Sequence, residues 1–157
     1  MNSHQETMEP ATAEVIGRVQ AACHAVFPGT RIFLAYVHGS RVQGTARPDS
    51  DLDIGYYLDG RRSAPLSMAQ EMMLTDHLSR QVGMEVDLRN LGGAPLEWRA
   101  RVLQQGCRVY CTDETARVAV ERELLTHWFD ERPRLERIHA ERLARFAATG
   151  LAAGPLP

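Results

Sequence analysis

The sequence predicts an α/β protein, a small mixed sheet flanked by helices and followed by C-terminal helices. Three observations predict it. Short apolar, β-prone runs such as Ile32–Val37 and Leu52–Leu58 alternate with longer stretches whose apolar residues recur at helical spacing. Glycine and proline punctuate the joins between them. At 157 residues the chain is the size of one domain and long enough to bury a proper core. That domain spans residues 10–148, with a core at about 31–111 and a helical extension at about 113–148, and residues 1–9 and 150–157 read as flexible tails.

Taken in order, Val15, Ile16, Val19, Ala22, Cys23 and Val26 mark an amphipathic first helix from Pro10 to Phe27, which Pro28-Gly29 ends. The first strand covers 31–37. A Gly39-Ser40 turn leads into a short helix at about 40–46, and Arg47-Pro48-Asp49-Ser50 is loop, because the residue before proline is pushed away from helical angles. The second strand, 51–58, runs into the turn Asp59-Gly60-Arg61-Arg62. Ser63 then caps a helix that Pro65 begins and Gly83 ends, with Met68, Met72, Thr75, Leu78 and Val82 as its core-packing stripe. Met84–Leu91 alternates as a third strand, with Met84, Val86 and Leu88 on one side and Glu85, Asp87 and Arg89 on the other. After Gly92-Gly93-Ala94, Pro95 opens a helix through Gln105 that presents Leu96, Arg99, Val102 and Leu103 on one face, and Gly106 caps it. Cys107–Tyr110 is a short last strand. Thr112 or Asp113 caps a longer helix with Ala116, Val120, Leu124 and Trp128 inward; it breaks near Pro133, and a final helical piece runs to about Ala148.

The chemistry concentrates in Val37-His38-Gly39-Ser40 and, ten residues later, Asp51-Leu52-Asp53. A strand that ends in Gly-Ser at a helix start presents free backbone N–H groups to phosphate oxygens. Asp51 and Asp53, two apart in a strand, project side by side, and one or more divalent cations relieve the repulsion between them. A phosphate cradle beside a carboxylate pair is the apparatus of metal-assisted phosphoryl or nucleotidyl transfer.

The full stretch from Gly39 to Asp53, with Gly44 and Ser50-Asp51 at their places within it, resembles the minimal nucleotidyltransferase (MNT) group of the superfamily that shares its core with DNA polymerase β. The resemblance implies a polymerase β-like core in which Asp51 and Asp53 hold two Mg²⁺ ions. Asp87, in the third strand, completes the metal site and receives the proton of an attacking hydroxyl, with Glu85 on the same face as the competing candidate. Ser40 and the backbone at Gly39 and Arg41 hold the terminal phosphates of ATP, which leave as pyrophosphate. Arg41 and Arg47 are candidate phosphate contacts or ordinary exposed arginines. Many family members carry a basic residue where this chain has Gln43. His38 reads as a side chain packed at a strand end or as a substrate contact.

The resemblance also implies a partner, since stand-alone MNT proteins of this size are typically antitoxins that add AMP from ATP to a tyrosine of a HEPN ribonuclease toxin. Two other classes stay open, an enzyme that modifies a small molecule such as an aminoglycoside and a non-catalytic antitoxin that works by binding. The ribonuclease motif of HEPN toxins, an arginine followed closely by a histidine, has an echo in Arg134 and His139. The helical segment there is too short for a HEPN bundle, so the pair reads as a solvated helix face.

Bulk properties set the outer limits. A net charge of −2 argues against direct, bulk-electrostatic binding of nucleic acid. No apolar stretch approaches membrane-spanning length, and the polar first ten residues lack a signal core, so a cytoplasmic location is expected. Cys23, Cys107 and Cys111 follow no metal-ligand spacing and read as buried free thiols.

Overall fold

The computed structural model describes residues 10–47, 50–60 and 64–149. The two expected tails, loop residues Pro48 and Asp49, turn residues Arg61 and Arg62 and the Ser63 cap lie outside them. The elements are α1 (Pro10–Val26), β1 (Ile32–His38), α2 (Ser40–Gln43), β2 (Leu52–Leu58), α3 (Met68–Val82), β3 (Val86–Asn90), α4 (Leu96–Gln105), β4 (Cys107–Cys111) and α5 (Glu114–Thr149). The strands form one mixed sheet in the order β3-β2-β1-β4. β1 runs antiparallel to both neighbours, and β2 and β3 run parallel.

Helices cover both faces of this sheet, which explains why β1 is a continuous apolar run with all seven residues buried. On one face Ile32, Val37, Leu52, Ile54, Tyr56, Val86 and Leu88 pack with Val19 and Cys23 of α1 and Leu78 and Val82 of α3. On the other, Phe33, Leu34, Tyr36, Tyr57 and Leu91 pack with Val102 of α4, and Trp98, Ala116 and Val120 close the cluster. Residues alternate between faces along a strand, so Asp53 and Asp87 share the α4 side of the sheet, opposite Ile54 and Leu88. The site is therefore a continuation of the second core, facing α4.

Five local expectations change. α2 ends at Gln43 rather than about 46, because Gly44 takes a left-handed φ of 71° and its N–H closes on the Ser40 carbonyl. α3 begins at Met68, where Ser67 and Gln70 form a reciprocal capping box, rather than at Pro65. Its inner stripe is also turned. The Tyr56 hydroxyl donates to Glu71, which rotates Glu71, Leu74, Leu78 and Val82 toward the sheet and leaves Met68 and Met72 78% and 66% exposed. Of the three thiols, Cys23 is buried, and burial pushes it up to about 12, whereas Cys107 and Cys111 are only half-buried.

The last correction is at Pro133, where α5 runs on as one helix of 36 residues. Proline removes a single N–H, the one that would reach the Phe129 carbonyl. The surrounding residues favour helix strongly, and ion pairs Arg132–Glu136 (2.7 Å) and Arg134–Glu131 (3.1 Å) span the gap. Pro133→Ala restores that hydrogen bond and is expected to stabilise the turn by about 3 kcal/mol. Amide exchange over residues 129–137 should then slow by roughly two orders of magnitude; unchanged exchange would show that the proline already costs nothing there.

Candidate active site

The register of the sheet brings three strands' polar residues into one row. His38, the last residue of β1, lies opposite Asp53 of β2. Asp53 lies opposite Asp87 of β3. The parallel pairing of β2 with β3 makes the second contact possible, because it starts both strands at the same end of the sheet. Glu85 precedes β3 and is exposed, and its carbonyl accepts the Leu52 N–H at 2.9 Å. The neighbour of Asp53 is thus Asp87 and not Glu85.

Gly39 follows His38 with φ of 79° and serves as the cap position of α2, which no side chain caps. A Cβ there would lie 2.5 Å from Asp53 Oδ2, so only glycine lets the backbone pass this close to the carboxylate. Ser40 is the first, half-buried residue of α2 rather than its cap. Arg41 donates from Nε and Nη2 to the Ser50 carbonyl at 3.2 and 2.7 Å, tying α2 to the segment before Asp51. Arg47 is exposed, and its N–H donates to Ser50 Oγ. Asp51 stands exposed just ahead of β2.

Electrostatics mark Asp53 and His38. Burial pushes the Asp53 carboxyl above its ordinary value, with Asp87 and Asp51 acting in the same sense against His38 and Arg89. Burial also lowers the His38 imidazole, outweighing the pull of Asp53 and Asp87. His38 Nε2 has no hydrogen-bond partner among the described residues, and its ring meets Trp98 edge-on with centroids 5.6 Å apart. Arg89 donates from Nε to Asp87 Oδ2 at 2.8 Å, and its Nη2 lies 2.7 Å from the same oxygen.

Folding with a depressed imidazole means that the unfolded chain takes up a proton near pH 6.5 while the native chain does not. Stability contributed by neutral His38 is therefore present above that pH and lost as pH falls below it. His38→Gln should flatten the dependence of Tm on pH between about 7 and 5; an unchanged slope would remove His38 as its source.

Three carboxylates are hard oxygen donors suited to Mg²⁺, and the raised Asp53 carboxyl would be relieved by a nearby cation. Among the described residues no three His, Cys, Asp or Glu groups are gathered closely enough to cage a metal as they stand, and Arg89 supplies the positive charge at Asp87. The chemistry of the donor set fits the ion.

A cleft of about 410 Å³ opens over this row, lined by His38, Gly39, Asp53 and Arg89 on the sheet side and by Trp98, Arg101 and Gln105 of α4 opposite. Gln43, which donates to Gln105 at 2.8 Å, closes one end. Trp98, Arg101 and Gln105 carry no motif. Their only signal is the helical spacing 98, 101, 105, and that becomes meaningful once α4 is known to lie on the Asp53 face.

The profile of the polymerase beta nucleotidyltransferase family matches residues 23–115. The chain belongs to that family. Among solved structures, a toxin–antitoxin complex with AMP-PNP contains a similar chain, with a TM-score of 0.60 at 20% identity over 81% of this chain and 98% of that one. A chain in the complex of tri-AMPylated Shewanella oneidensis HEPN toxin with MNT antitoxin gives 0.56 at 17% identity, over 83% and 98%. One in the MntA–HepT toxin–antitoxin gives 0.55 at 17%, again over 83% and 98%. At these identities the likeness is one of fold. No curated protein matches the sequence. Among the described residues no helix is long and apolar enough to cross a membrane.

Proposed function

We propose that this chain is a Mg²⁺-dependent protein adenylyltransferase of the MNT type, which moves AMP from ATP to a tyrosine hydroxyl of a HEPN-type toxin and acts in the cytoplasm as its antitoxin. The observation that carries the reading is the in-register pair Asp53 and Asp87 beside Gly39, in a chain of the polymerase beta nucleotidyltransferase family. The partner rests on the neighbours of known fold, which include a tri-AMPylated HEPN toxin held by an MNT antitoxin.

In this mechanism Asp51, Asp53 and Asp87 would hold Mg²⁺, which when bound neutralises the phosphate charge that develops in transfer. Gly39 and Ser40 offer backbone N–H groups to the terminal phosphates, which depart as pyrophosphate. Asp87 accepts the proton of the attacking hydroxyl. Arg89, which pairs with Asp87 and lines the cleft, would meet the phosphates from there. Arg41 acts by holding the Ser50 segment, and with it Asp51, in place. Arg47 has the exposure to meet phosphate.

The test is transfer of label from ATP labelled at the α-phosphate, with Mg²⁺ and a HEPN-type partner protein, beside an Asp51→Ala/Asp53→Ala variant. Label on the partner that vanishes in the variant is the expected result. Silencing of the partner without label would replace transfer by binding alone, and label only on small hydroxyl compounds would redirect the reading to a drug-modifying enzyme.

A further inference from the structure

α5 is far longer than the fold it leaves. Its 36 residues extend about 54 Å, while strands of at most seven residues extend about 23 Å. From His139 to Ala148 every residue is exposed. A second apolar stripe runs along the solvent side, distinct from the Leu124 and Trp128 side that meets the core. Val118, Leu125, Phe129 and Leu143 fall within about 40° of one another around the helix. Phe129 and Leu143 are 60% and 69% exposed.

The charges on α5 are sorted. Residues 114–131 carry five carboxylates and two arginines, and residues 132–149 carry five arginines and two carboxylates. A second α5 laid parallel would set like charge against like. Laid antiparallel, the acidic half of each meets the basic half of the other. The stripe itself selects a register. Setting Leu125 opposite Leu143 of the other copy also sets Arg132 opposite Glu136, each twice by symmetry. Within one chain Arg132 Nε already lies 2.7 Å from Glu136, so both charges sit on this face in position to be shared.

We propose that the solvent face of α5 is a self-association surface, on which two copies of this chain pair antiparallel about the Arg132–Glu136 level to form a two-fold dimer. The occupant is a second copy because the face, an apolar stripe with sorted charges, is complementary to itself in charge. The cleft at Asp53 lies between the sheet and α4, and α5 reaches α4 through His139, 3.9 Å from Glu97.

The test is the oligomeric state of the full chain, by analytical ultracentrifugation from low to high micromolar concentration. The wild type should be a concentration-dependent dimer, and Leu143→Glu a monomer with an unchanged circular dichroism spectrum. Arg132→Glu and Glu136→Arg should each weaken the dimer about tenfold, by placing like charges across the two-fold axis. Mixing the two single variants should restore dimers, because each then supplies the charge the other lacks. Neither variant keeps the pair within its own chain, so a role confined to one chain would give no rescue. A wild type monomeric at high micromolar concentration would overturn the proposal. So would a dimer that survives Leu143→Glu, or mixed variants that stay monomeric. A monomer that needs Leu143 to bind an added HEPN-type protein would assign the face to that protein instead.

Discussion

Asp53→Asn should lower nucleotidyl transfer by about 10³-fold and leave the protein at least as stable as the wild type. The loss of activity follows from position. Asp53 is the middle of the His38–Asp53–Asp87 row and the carboxylate against which Gly39 is packed, so in the proposed mechanism its charge would face both phosphate and metal. Removing one charge-stabilising group from such a centre commonly costs two to three orders of magnitude. The gain in stability follows from the raised carboxyl. A folded-state value above the unfolded one means that folding favours the protonated form, so the ionised form opposes folding at neutral pH. That opposition fades as pH falls through the folded value and is gone below about 3.9, the unfolded value. Denaturant unfolding at pH 7 and at pH 4 measures it directly. The asparagine variant should be the more stable at pH 7, with the difference shrinking at pH 4. A variant less stable at pH 7 would mean that Asp53 is held by favourable contacts and has no strained charge to relieve.

The same residue marks the division between what the sequence discloses and what it conceals. Gly39, Ser40, Asp51 and Asp53 are close in the chain, so a spacing rule finds them, and strand alternation assigns Asp51 and Asp53 a common side. Asp87 is a different matter. Alternation offers Asp87 and Glu85 equally, and only the parallel register of β2 on β3, a long-range property, sets Asp87 opposite Asp53. Trp98 and Arg101 lie further out of reach, since they enter the cleft through the path of the chain from β3 through α4 to β4. The element order was legible as far as the start of α5, because most elements have their own apolar period and a glycine or proline stop. The misreadings have two physical origins, a contact from elsewhere at α3 and local helix signals at α5. The Tyr56 hydroxyl turns α3 so that Glu71 faces inward and the methionines face out, and helix-favouring neighbours carry α5 through Pro133.

Gly39→Ala should be the most damaging substitution outside the carboxylates, with loss of transfer comparable to that of Asp53→Asn and a clear loss of stability as well. Two effects combine. A φ of 79° with ψ of −158° lies in a region essentially confined to glycine and costs a residue with a Cβ about 1–3 kcal/mol, and a methyl group 2.5 Å from Asp53 Oδ2 must displace the carboxylate or the backbone that carries it. The second effect can be isolated, because Asp53→Ala removes the atom with which the methyl collides. In that background the penalty of Gly39→Ala should fall to the backbone strain alone, so the two substitutions together should destabilise less than their separate effects combined. Additive penalties would mean that Asp53 simply rotates away, and that the contact sets nothing. Coupling is expected because Gly39 flanks the carboxylate on one side and Asp87 stands in register on the other. Close packing at Gly39 thus fixes the start of α2, where phosphate would be held, against Asp53, where the metal would be held. A single glycine sets the distance between the two halves of the site.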